Sequence, residues 1–171
     1  LSESRSLTLE LSPPILYEGG LGAALQWLGQ SVQEKHDLPV EVLADPAAEP
    51  TDEASRVFLF QAVREMLLNT VKYARADSAR VELTAVGADR LRVVVSDTGV
   101  GFDPAKLDER PSSGGFGLFS IRERLSLIDG RLDVESAPNR GTRMTIDYPR
   151  RRAAPTEPVV FPPPLEAARA A

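Results

Sequence analysis

Three polar side chains in the run REMLLNTVKYA have the types and spacing for phosphate chemistry: Glu65, Asn69 and Lys72. On an α-helix, at about 100° per residue, they fall within an arc of about 60°. That arc lies roughly opposite the apolar stripe led by Phe60, Val63 and Leu67. A helix buried along one side would thus show an acid, an amide and a cation in a row on the other. An amide oxygen is a hard ligand suited to Mg²⁺, which keeps several waters and takes its remaining oxygens from phosphates. The lysine can neutralise phosphate charge, and the carboxylate can orient or deprotonate a nucleophile. Taken alone, the helix is explained as well by a solvated face with intrahelical contacts among the three.

A second group, SDTGVGFD at 96–103, follows directly on the apolar run LRVVV. A buried strand ending in Asp-x-Gly-x-Gly places a carboxylate at the mouth of a pocket, and Gly99 and Gly101 permit a close backbone approach. Asp97 could there accept a hydrogen bond from an exocyclic amine such as adenine N6. The competing reading is a plain glycine-rich turn. A third group, GGFGLFSIRER at 114–124, puts glycines just before a helix start, where free backbone N–H groups and the helix dipole favour an anion. An ordinary loop closing on a helix explains it too. Last, Gly141-Thr142 opens the final strand and offers a hydroxyl near the base end of such a pocket; alone it is a turn glycine and a strand-favouring threonine. Neither the Gly-Lys-Ser/Thr of a P-loop nor a G-x-G-x-x-G opening a βαβ unit occurs.

The elements that must position these residues follow from periodicity. Leu21, Ala24, Leu25, Leu28 and Val32 repeat at helical spacing up to Pro39, and Val40-Glu41-Val42 reads as a short strand. Residues 44–52 read as a loop. A long helix is expected over about 55–75, with Phe60, Val63, Leu67, Val71 and Ala74 as its core stripe. Residues 80–86 alternate as a half-buried strand, 91–96 suit a central strand, and 103–113 form an aperiodic polar loop. Leu118, Ile121, Leu125 and Ile128 restore helical spacing, with Gly130 expected at its C-terminal cap. Strands with Leu132 and Val134, then Met144, Ile146 and Tyr148 inward, complete the set. Three helices on one face of a sheet whose other face is polar give an α+β, two-layer α/β sandwich. The alternation disfavours a doubly wound fold.

Composition narrows the field further. The 171 residues carry a formal net charge of −5, which argues against a nucleic-acid binder acting through bulk electrostatics. There is no cysteine, so disulfides and thiolate chemistry are excluded, and His36 is the sole histidine. No apolar run approaches the roughly 18–20 residues needed to span a bilayer. Residues 1–12 read as the end of a preceding helical segment or linker, 13–149 as one catalytic domain. The Pro/Ala-rich stretch 150–171 reads as a flexible tail.

Together and in this order, the motifs resemble the histidine kinase branch of the GHKL (HATPase) superfamily, shared with DNA gyrase and heat-shock chaperone ATPases. Residues 65–74 resemble its N box, 97–102 and 115–118 its two glycine boxes, and Gly141-Thr142 its closing threonine box. The opening LSPPILYEGGLGAALQWL resembles the nitrate-sensor-like group of two-component kinases. The resemblance spans about residues 9–149 and implies a Bergerat-type fold with a mixed, mostly antiparallel sheet. It implies that the chain is the ATP-binding catalytic domain of a sensor histidine kinase, a phosphotransferase acting with ATP and Mg²⁺. Asn69 would coordinate Mg²⁺, Lys72 and Tyr73 would approach phosphate, Asp97 would bind adenine N6, and Gly99 and Gly101 would shape the purine pocket. Gly115, Gly117 and Leu118 would border the phosphates, Thr142 would complete the adenine contacts, and Glu65 would be the general base or positioner. Residues 103–113 would be a mobile ATP lid.

The same resemblance implies partners: dimerisation and histidine-phosphotransfer helices of the same protein, a response regulator, and a homodimeric whole at the cytoplasm, including the cytoplasmic part of a membrane-bound sensor. His36, although followed by Asp37, lies past the first helix of the domain and reads as a surface histidine, not the phosphoacceptor. Two rivals share the boxes. One is a nucleotide-dependent interaction module without kinase activity; the other is an anti-sigma-type serine kinase.

Overall fold

In the computed structural model, residues 12–103 and 117–150 are described. The chain runs α1 (Pro14–Glu18), α2 (Gly20–His36), β1 (Val40–Ala44), a 3₁₀ turn (Pro46–Ala48) and α3 (Glu53–Asn69). One turn of π-helix (Thr70–Ala74) prolongs α3; then come β2 (Ala79–Val86), β3 (Arg90–Asp97), α4 (Leu118–Ser126), β4 (Arg131–Ser136) and β5 (Thr142–Pro149). The five strands form one sheet in the order β1-β2-β3-β5-β4. β1 and β2 are parallel, joined through α3 as a parallel pair requires. The other three pairings are antiparallel. This is the expected mixed, mostly antiparallel sheet with its helices on one face.

Strand alternation puts Val81, Leu83, Leu91, Val93, Val95, Met144, Ile146 and Tyr148 into the core. The opposite face carries charges paired across strands: Arg80 meets Glu41 at 2.7 Å and Arg92 meets Asp147 at 2.9 Å. Such exposed pairs contribute little stability each, but they keep this face wet. α3 is buried more broadly than a single stripe. Beside Phe60, Val63 and Leu67, its Leu59, Ala62 and Met66 are also at 0% exposure. The helix is packed by α2, α4 and β3 at once, and its other side is for the most part half-buried. Phe58 stacks on Tyr148 with ring centroids 5.8 Å apart, and the Arg124 guanidinium sits 5.5 Å from the Phe58 centroid. Those contacts tie α4 and β5 to α3.

Two local expectations are corrected. The helix expected to run as α-helix to residue 75 changes at Thr70 into the π turn. Arg75 follows with φ 48°, which turns the chain towards β2. Gly130 is not the left-handed cap of α4; Asp129 takes that conformation (φ 58°), and the Gly130 N–H bonds the Leu125 carbonyl at 2.9 Å. Aspartate tolerates the left-handed region better than most residues. Gly130 instead makes room for its neighbour, since a Cβ there would lie 2.7 Å from Leu125 Cδ2 and that side chain would have to shift. Arg150 is held by its N–H to Asp89 O (2.7 Å) and its guanidinium to Glu49 O (3.0 Å). The rest of the expected tail, and residues 1–11, lie outside the described residues.

The start of α2 has no side-chain cap of its own, because Gly19 precedes Gly20 there. Glu49, from the loop after β1, supplies one from a distance: its carboxylate accepts from the Leu21 N–H at 2.8 and 3.0 Å and from Gly22 at 3.4 Å. An anion at a helix N-terminus also meets the favourable end of the dipole. Glu49→Ala is expected to lower unfolding stability by about 1–2 kcal/mol. The check is a urea titration, where the midpoint falls with unchanged slope; an unmoved midpoint contradicts the capping role.

Candidate functional site

The inner face of the sheet ends in a row of four residues, one per strand. Register pairs Ala79 with Asp97, Asp97 with Thr142, and Thr142 with Ser136. Strand parity puts their side chains on the helix-covered face, with the core residues Val95, Met144 and Val134 one layer in. Asp97 therefore stands at the edge of the apolar core, partly buried. Its Oδ1 accepts from the Gly99 N–H at 2.9 Å and its Oδ2 from the Thr70 hydroxyl at 3.2 Å.

The glycines after Asp97 let the chain fold tightly against two neighbours. Gly99 packs directly on the Ala74 carbonyl, where any Cβ would collide, and the Val100 N–H bonds that carbonyl at 2.7 Å. Gly99 O then accepts from the Gly141 N–H at 3.0 Å. Gly101 and Gly141 occupy the left-handed region, with φ of 61° and 70°, and each backs onto a carbonyl, of Ala137 and Asp97 respectively. Ser136 ties the turn together: it accepts from the Phe102 N–H at 2.9 Å, donates to Gly141 O at 2.9 Å, and lies 3.0 Å from Thr142 Oγ1.

Next to this strand end stands the polar flank of α3. Thr70 is buried against Asp97, and the preceding Asn69 is half-buried with its amide bonded to no side chain or backbone group among the described residues. One turn back is the half-buried Glu65. Partial burial pushes its carboxyl above the ordinary 4.5, opposed by the nearby charges of Lys72 and Arg64. Lys72 and Tyr73 lie exposed on the π turn. Gly117, itself buried, precedes α4 with no side-chain cap on the helix start, and Leu118 packs partly into the core. The structure thus gathers Asp97, Gly99, Gly101 and Thr142 around one strand end, beside the flank bearing Glu65, Asn69 and Lys72. Gly115 and all of the expected lid except Asp103 fall outside the described residues. His36 is the exposed last residue of α2, not part of a loop.

Sequence reasoning missed Thr70 and Ser136. Thr70 follows Asn69 directly, and its inward position, one helical turn beyond the buried Met66, was available as a signal. Nothing in the run RLDVES marked Ser136.

Comparison with known proteins agrees with this architecture. The family model for "Histidine kinase-, DNA gyrase B-, and HSP90-like ATPase" matches residues 54–152, more than half of the chain. The chain belongs to this ATPase family. It is 32% identical over 149 residues to the oxygen sensor histidine kinase NreB of Staphylococcus carnosus, covering 87% of this chain and 42% of that protein. An uncharacterized sensor-like histidine kinase of Chloroflexus aurantiacus is 34% identical over 150 residues, covering 86% of this chain and 25% of that one. The chain therefore spans less than half the length of either relative. Among solved structures, the blue-light activated histidine kinase of Erythrobacter litoralis EL346 superposes with a TM-score of 0.67. It is 23% identical and covers 87% of this chain and 50% of that one. The mycobacterial sensor histidine kinase MprB gives 0.56 at 22% identity, covering 75% and 93%. Both share the fold.

The Glu65 carboxyl gives a stability prediction. Its native form holds a proton to higher pH than its unfolded form, so its contribution turns against the fold as pH rises from about 4.5 through the native value. Glu65→Gln removes that loss. The difference in melting temperature, variant minus parent, should grow in the variant's favour between pH 4 and pH 7; parallel curves would show that Glu65 ionises freely.

Proposed function

We propose that this domain is the ATP-binding catalytic unit of a two-component sensor histidine kinase, transferring the γ-phosphoryl group of ATP to a histidine on a separate helical domain. The observation that carries the reading is the Asp97 carboxylate, held at the strand end by Thr70 and Gly99 and adjoining the flank of Glu65 and Asn69. Membership of the ATPase family supplies the nucleotide; the sensor kinases among the relatives suggest the acceptor.

Within this reading Asp97 accepts from the purine 6-amino group, with Thr142 opposite it and Gly99 and Gly101 bringing backbone close to the base. Lys72 and Tyr73 approach the phosphates from the π turn. Gly117 and Leu118 border them at the start of α4, and Gly115, which lies outside the described residues, is expected to join them. The donor set suits Mg²⁺. Asn69 offers a hard oxygen that bonds no other group among the described residues, and this ion draws its other ligands from phosphate and water. Asn69 would hold it, and the ion would neutralise charge on the phosphates. Glu65, with its proton affinity raised by burial, orients the attacking imidazole and can take up its N–H proton. The nitrogen bonds to the γ-phosphorus as the bond to the β–γ bridging oxygen breaks, and ADP leaves. Such transfer depends chiefly on alignment and charge neutralisation.

The partners in this reading are dimerisation helices of the same protein in a homodimer, and a response regulator. The setting is cytoplasmic, including the cytoplasmic part of a membrane-bound sensor. No described helix is long and apolar enough to cross a membrane. A nucleotide-switched interaction module is the second reading, and the half-buried Glu65 beside Asn69 speaks against it, because a pure binder has less need of an acid there.

Asp97→Asn keeps the shape but exchanges one acceptor oxygen for a donor, and calorimetry should show ADP affinity lowered about tenfold or more. Unchanged affinity removes Asp97 from the pocket. In a longer chain that includes the acceptor helices, Glu65→Gln should cut phosphorylation by about 10²-fold or more while ATP affinity stays within about twofold. Equal losses of both would assign Glu65 to binding alone.

A further inference from the structure

Thr70 was not among the residues expected to matter, yet it is 3% exposed and holds one oxygen of Asp97. Its Oγ1 has two acceptors in reach, Asp97 Oδ2 at 3.2 Å and Met66 O at 3.3 Å. A hydroxyl has one proton to give. The Met66 carbonyl already accepts the Thr70 backbone N–H, whereas a carboxylate forms the stronger, charge-assisted bond, so the proton goes to Asp97. With Gly99 N–H on Oδ1 and Thr70 on Oδ2, the plane of the carboxylate is fixed from both ends.

The other hydroxyl of the row is oriented in the same sense. Ser136 gives its proton to Gly141 O and accepts from the Phe102 N–H. Either hydroxyl could donate across the 3.0 Å contact with Thr142, but the Gly141 carbonyl can only accept, so a Ser136 proton committed there makes Thr142 Oγ1 the donor. Both hydroxyls beside Asp97 direct their protons into the protein. At Asp97 itself, what faces a ligand is the remaining lone pairs of an oriented carboxylate.

We propose that Thr70 is a positioning residue which, by donating to Asp97, holds that carboxylate as an oriented acceptor at the base end of the site and so selects a 6-amino over a 6-oxo purine. This rests on the nucleotide-binding reading above and deepens it. At position 6 an amino group donates to the oriented carboxylate, while an oxo group sets its own lone pairs against it; the N1–H of a 6-oxo purine lies at a different ring position, so pairing it with Asp97 requires the base to shift. Without the Thr70 hydroxyl, Asp97 is held on one side only; it can rotate about the Gly99 bond, and water can supply a donor at Oδ2. The base end then loses its fixed polarity.

The test uses the chain as it is, with ADP and IDP as probes and calorimetry as the readout. The parent should prefer ADP. Thr70→Val deletes the hydroxyl at nearly constant shape and should lower the ADP-to-IDP affinity ratio about tenfold, chiefly through ADP, while Thr70→Ser should restore it to within about twofold. Melting curves taken alongside report on folding, and Thr70→Ala makes the same deletion should valine distort the turn. An unchanged ratio in the folded Val and Ala variants overturns the positioning role, as does an equal loss for both nucleotides or a failure of serine to rescue. A parent chain that binds no ADP overturns the nucleotide assignment itself, and this inference with it.

Discussion

One backbone hydrogen bond joins the two halves of the candidate site: the Val100 N–H to the carbonyl of Ala74, at 2.7 Å. It fastens the turn after β3 to the end of the π turn that prolongs α3. The bond exists only because residue 99 has no side chain, since a Cβ would occupy the place of that carbonyl. From this join the remaining geometry follows. Gly99 is close enough to give its N–H to Asp97, Gly141 reaches Gly99 O, and Thr70 comes within reach of the Asp97 carboxylate. If the helix end were displaced from the strand end, the acid–amide flank and the base-side carboxylate would belong to different surfaces.

The fold supplies this join with a rigid backing. α3 is buried on most of its circumference by α2, α4 and the sheet, and aromatic packing of Phe58 on Tyr148 fixes it against the central strands. That leaves one side of the helix half-buried, and Arg64, Glu65 and Asn69 fall on it. The sheet contributes its edge, where four strands end in Ala79, Asp97, Thr142 and Ser136. Small or hydroxylic residues flank the one carboxylate, so the row is polar without being crowded. The division is physical: the core holds positions, while the termini of elements carry the polar groups of the candidate site.

Much of this could be read from the residues in order. β2 and β5 alternate because one face of the sheet is wet, and that alternation also disfavoured a doubly wound fold. Asp97 and its glycines stood out because an apolar run ended at them. What could not be read depended on partners distant in the chain. The π turn is set by a carbonyl that bonds residue 100, and no local propensity of TVKYA announces it. The role of Thr70 comes from a carboxylate 27 residues away. Gly130 was assigned to a cap by habit of residue type, whereas Asp129 takes the left-handed turn and Gly130 makes room for Leu125. Glu49, remote in sequence from α2, was invisible as its cap for the same reason.

The central claim is that helix flank and strand end form one nucleotide site. The most direct measurement is a titration of the labelled chain with Mg-ADP, following backbone amide resonances by NMR. The account predicts that Asn69 and Lys72 on one side, and Asp97, Gly99, Gly101 and Thr142 on the other, shift together and saturate at a single dissociation constant. Shifts confined to one of these groups, or two groups saturating at different concentrations, would contradict it.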